Sequence, residues 1–268
     1  MTPLYFREMG ASSTHATHRC LIVHGIMGSS QNWLGAARTL IERFPTWSIR
    51  LLDLPGHGAS AHEDGVPELP AIASRVYSTL EEDSWRPNIL IGHSFGGKTM
   101  IELSMLYDSQ PLDLWLLDAP MNADTLVTGT QTIETILSVV DGLPSPTSRQ
   151  VVLDAFSAAG LDTGIGQWMN TNLRRVDSGF EWKIHTNFIR AALHDYLSRD
   201  YWSYLSNRSI HHTLHCVLAG RSSWWRGDNE RRLRKLPRTH LHTLHRAGHW
   251  VHIDDLPGLV QCLESVHL

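Results

Sequence analysis

Residues 89–97 read Ile-Leu-Ile-Gly-His-Ser-Phe-Gly-Gly. An apolar run of strand length meets a serine flanked by glycines and passes at once into a helix-forming segment, Gly96 to Tyr107. Gly-x-Ser-x-Gly alone is common by chance, but strand, sharp turn and helix in that order is the setting in which such a serine becomes a nucleophile. The glycines have a steric reason, because side chains at the flanking positions would collide with the neighbouring strand and helix. Ser94 then projects its hydroxyl above a sheet, and the helix amino end beneath it favours developing negative charge. The plain alternative is a glycine-rich turn that merely ends a strand.

The rest of the chain supplies the sheet that this turn requires. Apolar runs recur at Cys20 to His24, Ser48 to Asp53, Asn88 to His93, Leu112 to Asp118, Leu214 to Ala219 and Thr239 to Leu244. Amphipathic segments lie between and after them, at Trp33 to Phe44, Ala71 to Glu82 and Leu256 to Val266. Alternation of this kind predicts an α/β fold with a mostly parallel sheet covered on both faces. An opening strand around Leu4 to Met9 is expected at an edge. Between Asp118 and Leu214 the alternation gives way to helical periodicity, with two prolines in the LPSPTS stretch at 143–148. The expectation is one domain, with residues 1–121 and 209–268 as core and 122–208 as a helical insertion over the strand ends. At 268 residues the chain can bury such a core. It contains no internal repeat and no low-complexity tract.

A second motif points at the same rim. His24-Gly25-Ile26-Met27-Gly28-Ser29 follows the run Cys20-Leu21-Ile22-Val23, so it sits at the carboxyl end of a strand, where open α/β sheets bind ligands. Acyl transfer needs two N–H donors on the carbonyl oxygen as it becomes an oxyanion. Phe95, next after the serine, is expected to supply one and Ile26 the other. A base is expected late in the chain, and Ala247-Gly248-His249-Trp250-Val251-His252 follows the final strand candidate. His249 is the choice there, with His245 and His252 as competitors. An imidazole suits the role because it titrates near neutrality. The acid that orients it is expected at Asp118, which ends the run Leu116-Leu117-Asp118; after Val217-Leu218-Ala219-Gly220 the chain reads Arg221-Ser222-Ser223-Trp224, with no carboxylate until Asp228. Asp228 and Asp195 stay open as alternatives.

HGIMGS at 24–29, DLPGHGAS at 53–60, GHSFGGKT at 92–99, LLDAP at 116–120 and AGHWVH at 247–252 together resemble the α/β-hydrolase superfamily over nearly the whole chain. They are most similar to the small bacterial acyl esterases and the mitochondrial α/β-hydrolase-domain proteins of animals. In that branch the acid can be the aspartate after strand six, with a serine where the usual acid would stand, as at Asp118 and Ser222. The resemblance implies an eight-stranded sheet with a helical lid inserted after strand six, a carboxylic ester hydrolase activity on a small-molecule acyl ester, and no cofactor. Gly56-His57-Gly58 departs from the Asn-His-Gly of the branch, and the 122–208 segment matches least.

Other chemistries find little support. His240, His242, His245, His249 and His252 invite a metal, but Pro237 and Gly248 bracket the segment and no helix carries a zincin pair. Trp224-Trp225-Arg226 suggests a stacking platform for nucleic acid, yet 23 Lys plus Arg stand against 27 Asp plus Glu and no basic motif exists. Packing is the better account of the tryptophans, and a solvated helix face that of Arg231-Arg232-Leu233-Arg234-Lys235. The 17 His, left out of the formal charge of −4, deprive net charge of any bearing on partners. Cys20, Cys216 and Cys262 are too scattered for a disulfide framework or a CxxC site. Arg7 and Glu8 stand where a secretory peptide needs an apolar run, and no stretch approaches a membrane span. The expectation is a soluble, unsecreted protein of the cytoplasm or an organelle. A ligand receptor or protein-stabilising partner on the same fold, and a thioester or carbon–carbon bond hydrolase, are the alternative functions; oligomeric state is open.

Overall fold

The structure, a computed structural model, describes residues 3–61, 65–123, 128–222 and 228–268. Its strands are β1 (Phe6–Gly10), β2 (His18–Val23), β3 (Trp47–Leu52), β4 (Ile89–His93), β5 (Leu112–Leu117), β6 (Leu173–Val176), β7 (Gly179–Trp182), β8 (His212–Ala219) and β9 (Thr239–Leu244). Seven of them form one sheet in the order β1-β3-β2-β4-β5-β8-β9, and all pairings are parallel except the edge pair β1–β3. The central strands β3 and β4 are buried along their whole length, which is why they read as unbroken apolar runs.

Two apolar layers cover the sheet. Alternate residues of β2, β4 and β5 (Leu21, Val23, Leu90, Leu114, Leu116) pack with α2 (Leu69–Glu82) and α3 (Phe95–Leu106). The intervening residues (Cys20, Ile22, Ile89, Ile91, Trp115, Leu117) pack with α1 (Leu34–Arg43) and α11 (Leu256–His267) on the other face. A strand of period two feeding both layers needs apolar residues at every position.

Two expectations are corrected. The sheet has seven strands among the described residues rather than eight, because β1 is the only strand ahead of β2. The inserted segment therefore follows the fifth strand of this sheet, not a sixth. It is also not wholly helical. Between α4 (Thr128–Gly142), α5 (Arg149–Ala158), α6 (Thr163–Met169) and α7 (Thr186–Ser198), the antiparallel hairpin β6–β7 is inserted. Four-residue strands are too short to show a period in sequence. The segment divides by packing: Ile136, Leu137, Val140, Val152, Phe156 and Met169 cluster with Met27, with Leu173 and Trp182 of the hairpin and with Ile189 of α7. The other face of α7 (Phe188, Ala192, Leu193 and Tyr196), with Trp202 and Leu205 of α8 (Trp202–Asn207), joins the layer formed with α2 and α3.

Candidate active site

Ser94 sits between β4 and α3 at φ 51°, ψ −114°, a conformation that costs a non-glycine residue on the order of 1–3 kcal/mol. Its N–H donates to the Leu117 carbonyl at 3.0 Å, and its own carbonyl accepts from Gly97 N–H at 2.9 Å, so both sides of the turn are pinned. The glycines are required by approach: a Cβ at Gly92 would lie 2.3 Å from the Gly96 carbonyl oxygen, and one at Gly96 would lie 2.4 Å from that of His24. The Phe95 N–H belongs to the first turn of α3, where helix geometry provides no partner for an amide.

Asp118 ends β5 and is fully buried. Its N–H donates to the Val217 carbonyl at 2.9 Å, its Oδ1 lies 3.4 Å from Ala219 N, and its Oδ2 lies 2.7 Å from His249 Nδ1. An ionised carboxylate can only accept, so Nδ1 carries the imidazole proton and Nε2 is the acceptor end of the ring. The loop that bears His249 is held at two further points. Gly248 N–H donates to Asp254 Oδ2 at 2.8 Å, and His93 Nε2–H donates to the His249 carbonyl at 2.7 Å. Burial, helped by the neighbouring His249 and His252 rings, pushes the His93 imidazole well below the ordinary range and keeps it neutral.

The competing residues are otherwise engaged. Asp228 is exposed and pairs with Arg231 at 2.9 Å. Asp195 accepts Leu69 N–H at 2.7 Å and both nitrogens of the Arg199 fork at 2.6 and 2.8 Å. His245 is exposed. His252 stacks on Trp33 with centroids 4.0 Å apart, and neither of its ring nitrogens has a hydrogen-bond partner among the described residues.

The HGIMGS loop is shaped by a tautomer. His24 Nε2 accepts Leu54 N–H at 3.1 Å, so its proton is on Nδ1, which donates to the Gly25 carbonyl at 2.7 Å. Burial holds this ring neutral, its pKa pushed down to about 4. Gly28 N–H donates to the same carbonyl at 3.0 Å. In a trans peptide the C=O and the following N–H point opposite ways. Drawing the Gly25 carbonyl towards His24 and Gly28 therefore turns the Ile26 N–H away from them, and Ile26 lines the cavity. His57 behaves similarly, donating from Nδ1 to the Pro55 carbonyl at 2.8 Å, while Asp53 accepts Ser30 N–H at 2.5 Å and Ala59 N–H at 2.8 Å.

Ser94, Phe95, Ile26 and His249 all line one cavity of about 930 Å³, with Asp118 behind His249. Met27, Ile133, Ile136, Ile165, Trp168 and Leu193 give it apolar walls. Among the described residues that line it there is no Lys, Arg, Asp or Glu. Tyr196 of α7, which the sequence did not single out, lines it too; helical periodicity marks this position only as buried. His240 and His242 lie apart from the cavity on β9, where His242 Nε2 is 3.2 Å from His215 Nδ1. No group of three or more His, Cys, Asp or Glu among the described residues is arranged to hold a metal. Trp224-Trp225-Arg226 lies outside the described residues.

A model of the α/β hydrolase family matches residues 20–260. The sn-1-specific diacylglycerol lipase ABHD11 of Xenopus tropicalis is 26 % identical over 239 residues, 87 % of this chain and 73 % of that protein. Esterase YbfF of Escherichia coli is 26 % identical over 266 residues, covering 97 % of each. Among solved structures, a marine microorganism esterase superposes with a TM-score of 0.84 at 22 % identity, over 98 % of each chain.

Proposed function

The chain belongs to the α/β-hydrolase family, and from that premise we propose that it is a serine hydrolase of uncharged carboxylic esters, with Ser94 as nucleophile, His249 as base and Asp118 as the acid that orients it. The observation that carries this reading is the shared cavity: a strained serine and an imidazole already paired to a buried carboxylate open on the same apolar space.

In acylation, Ser94 Oγ gives its proton to His249 Nε2 and bonds to the acyl carbon. The carbonyl oxygen becomes an oxyanion, taken by the N–H groups of Ile26 and Phe95. Asp118 stabilises the imidazolium. Collapse breaks the bond to the alcohol oxygen, which leaves with the proton from His249. Water then attacks the acyl carbon with His249 as base, the bond to Oγ breaks, and Ser94 recovers its proton. No step calls for a cofactor or metal. The α4–α6 part of the insertion, residues 128–169, acts as a lid that shapes the acyl site. No helix among the described residues is long and apolar enough to cross a membrane.

The test is covalent. A fluorophosphonate probe is expected to label Ser94 in the folded protein, with hydrolysis of a short activated ester lost in step with labelling. Labelling elsewhere, or hydrolysis that survives full labelling, would sink the assignment.

The uncharged lining yields a second expectation. A carboxylate carried into this cavity would be desolvated with no Lys or Arg among the described lining residues to meet it. An ester with a free carboxylate on its acyl chain is therefore expected to have a kcat/KM about 100-fold below its neutral isostere, since an unpaired buried charge costs at least about 3 kcal/mol. Equal rates for the two in a matched-chain panel would contradict it.

A further inference from the structure

Lys98, which closes the GHSFGGK motif, lies wholly inside the protein. Its ammonium donates to the carbonyls of Asn122 (2.9 Å), Tyr196 (2.7 Å) and Arg199 (2.8 Å). Tyr196 and Arg199 are at the end of α7, where the last four carbonyls have no partner within the helix. A side chain from α3 thus caps α7 from the flank. The same ammonium lies 4.4 Å from the centroid of the Tyr196 ring, and the Phe95 ring packs against that ring at 5.5 Å. Tyr196 is held by its backbone and by its ring.

What this grip presents is a hydroxyl. Tyr196 is 4 % exposed and lines the cavity beside Ser94. Its hydroxyl faces the Ser94 side chain, yet finds no hydrogen-bond partner of good geometry among the described residues. A buried hydroxyl without a partner destabilises the fold, and a phenylalanine would avoid that cost. Burial pushes the pKa of this phenol well up, so the proton stays on the oxygen and the group acts as a neutral donor or acceptor.

Resting on the assignment of Ser94 as nucleophile, we propose that the Tyr196 hydroxyl donates a hydrogen bond to Ser94 Oγ whenever that oxygen carries negative charge, and that Lys98 is the residue that positions it. In acylation the charge grows on Oγ as its proton passes to His249, before the bond to the acyl carbon is complete. In deacylation it returns as the bond from the acyl carbon to Oγ breaks, before His249 gives the proton back. Tyr196 keeps its own proton throughout. A donor confined to the moments when charge is present stabilises the transition states more than the resting serine, which is what raises kcat.

Tyr196→Phe removes the hydroxyl and keeps the ring. The expected result is a kcat lowered about 10- to 100-fold with KM within about threefold, somewhat less than the loss of an oxyanion donor. Fluorophosphonate labelling of Ser94 should slow by a similar factor, because that rate reads the reactivity of Oγ without an ester being bound. The melting temperature should hold or rise, since a buried unsatisfied group is gone. An unchanged kcat and labelling rate would overturn the proposal, and so would a raised KM alone, which would mean that the hydroxyl only shapes the cavity. Lys98→Met should lower kcat in the same direction and add little in the Tyr196→Phe background; full additivity would remove Lys98 from the account. Should Lys98→Met fail to fold, the Tyr196→Phe measurements still decide the role of the hydroxyl. Ser94→Ala separates the two levels of inference: turnover there close to that of the unaltered protein defeats the nucleophile assignment itself. A Ser94→Ala variant that loses nearly all turnover beside a fully active Tyr196→Phe defeats only the role of Tyr196.

Discussion

Ser94→Ala is expected to lower kcat for a short activated ester by about 10⁶-fold, and Asp118→Asn by about 10⁴-fold, in protein that folds normally. The two magnitudes differ for a physical reason. Without Oγ there is no covalent path, and only the oxyanion donors and binding remain. Without the carboxylate the nucleophile is intact, but an asparagine can present its NH₂ to His249 Nδ1. The ring then turns to the wrong tautomer, with its proton on Nε2, where the acceptor is needed. Asp228→Asn is the matched control. Asp228 is exposed and paired with Arg231, so its replacement should leave kcat within about twofold, as for a surface substitution. Circular dichroism and kcat on the three variants check this. Loss of activity only in Asp228→Asn would move the acid to the other strand end and take Asp118 out of the site.

Mild acid should unfold this protein. Burial holds His24 and His252 down to about 4 and His57 down to about 3, against 6.5 for a solvated imidazole. The folded pKa is depressed in each case, so the sign is clear. Above pH 6.5 both folded and unfolded rings are neutral and the full stability is present. Below 6.5 the unfolded chain takes up protons that the folded one refuses, and stability is lost progressively until the pH nears 4. At pH 5 each such ring removes about 2 kcal/mol. Three of them approach the whole stability of an ordinary domain, about 5–15 kcal/mol. Tryptophan fluorescence against pH is expected to show a cooperative loss of structure between pH 6 and 4. His252→Phe, which can keep the stack on Trp33 without a proton site, should shift that midpoint to lower pH. An unmoved midpoint would clear His252 of any part in acid lability.

The candidate site was legible in sequence along the Ser94 rim because its steric demands are local. A serine at positive φ between Gly92 and Gly96 leaves few other residues possible there, and the strand before it and helix after it were visible as runs. Asp118 was legible by register, as the residue that ends an apolar run in the parallel sheet, and it ends β5 beside β8. The hairpin β6–β7 was not legible, for want of length. Tyr196 and Lys98 were hidden for a different reason. Their roles depend on contacts across about a hundred residues of chain, and nothing in local periodicity tells a buried lysine that caps a distant helix from one that snorkels to solvent.

The clamp at Lys98 also restricts how the site can breathe. Swinging α7 outward would strip the Tyr196 and Arg199 carbonyls from a buried ammonium, and a cation that loses such partners in a medium of low polarity is costly. The α4–α6 flank is tied to α7 differently, by the partly exposed pairs of Arg190 with Glu134 (3.1 Å) and Asp141 (2.7 Å) and by Ile189, which joins the apolar cluster around Met27. One side of the cavity is thus held by a buried ammonium, and the other by surface ion pairs that water can replace at little cost. Opening is therefore expected to cost least at α4–α6, so that substitutions at Arg190, Glu134 or Asp141 change the pace of product release and those around Lys98 change the alignment of Ser94.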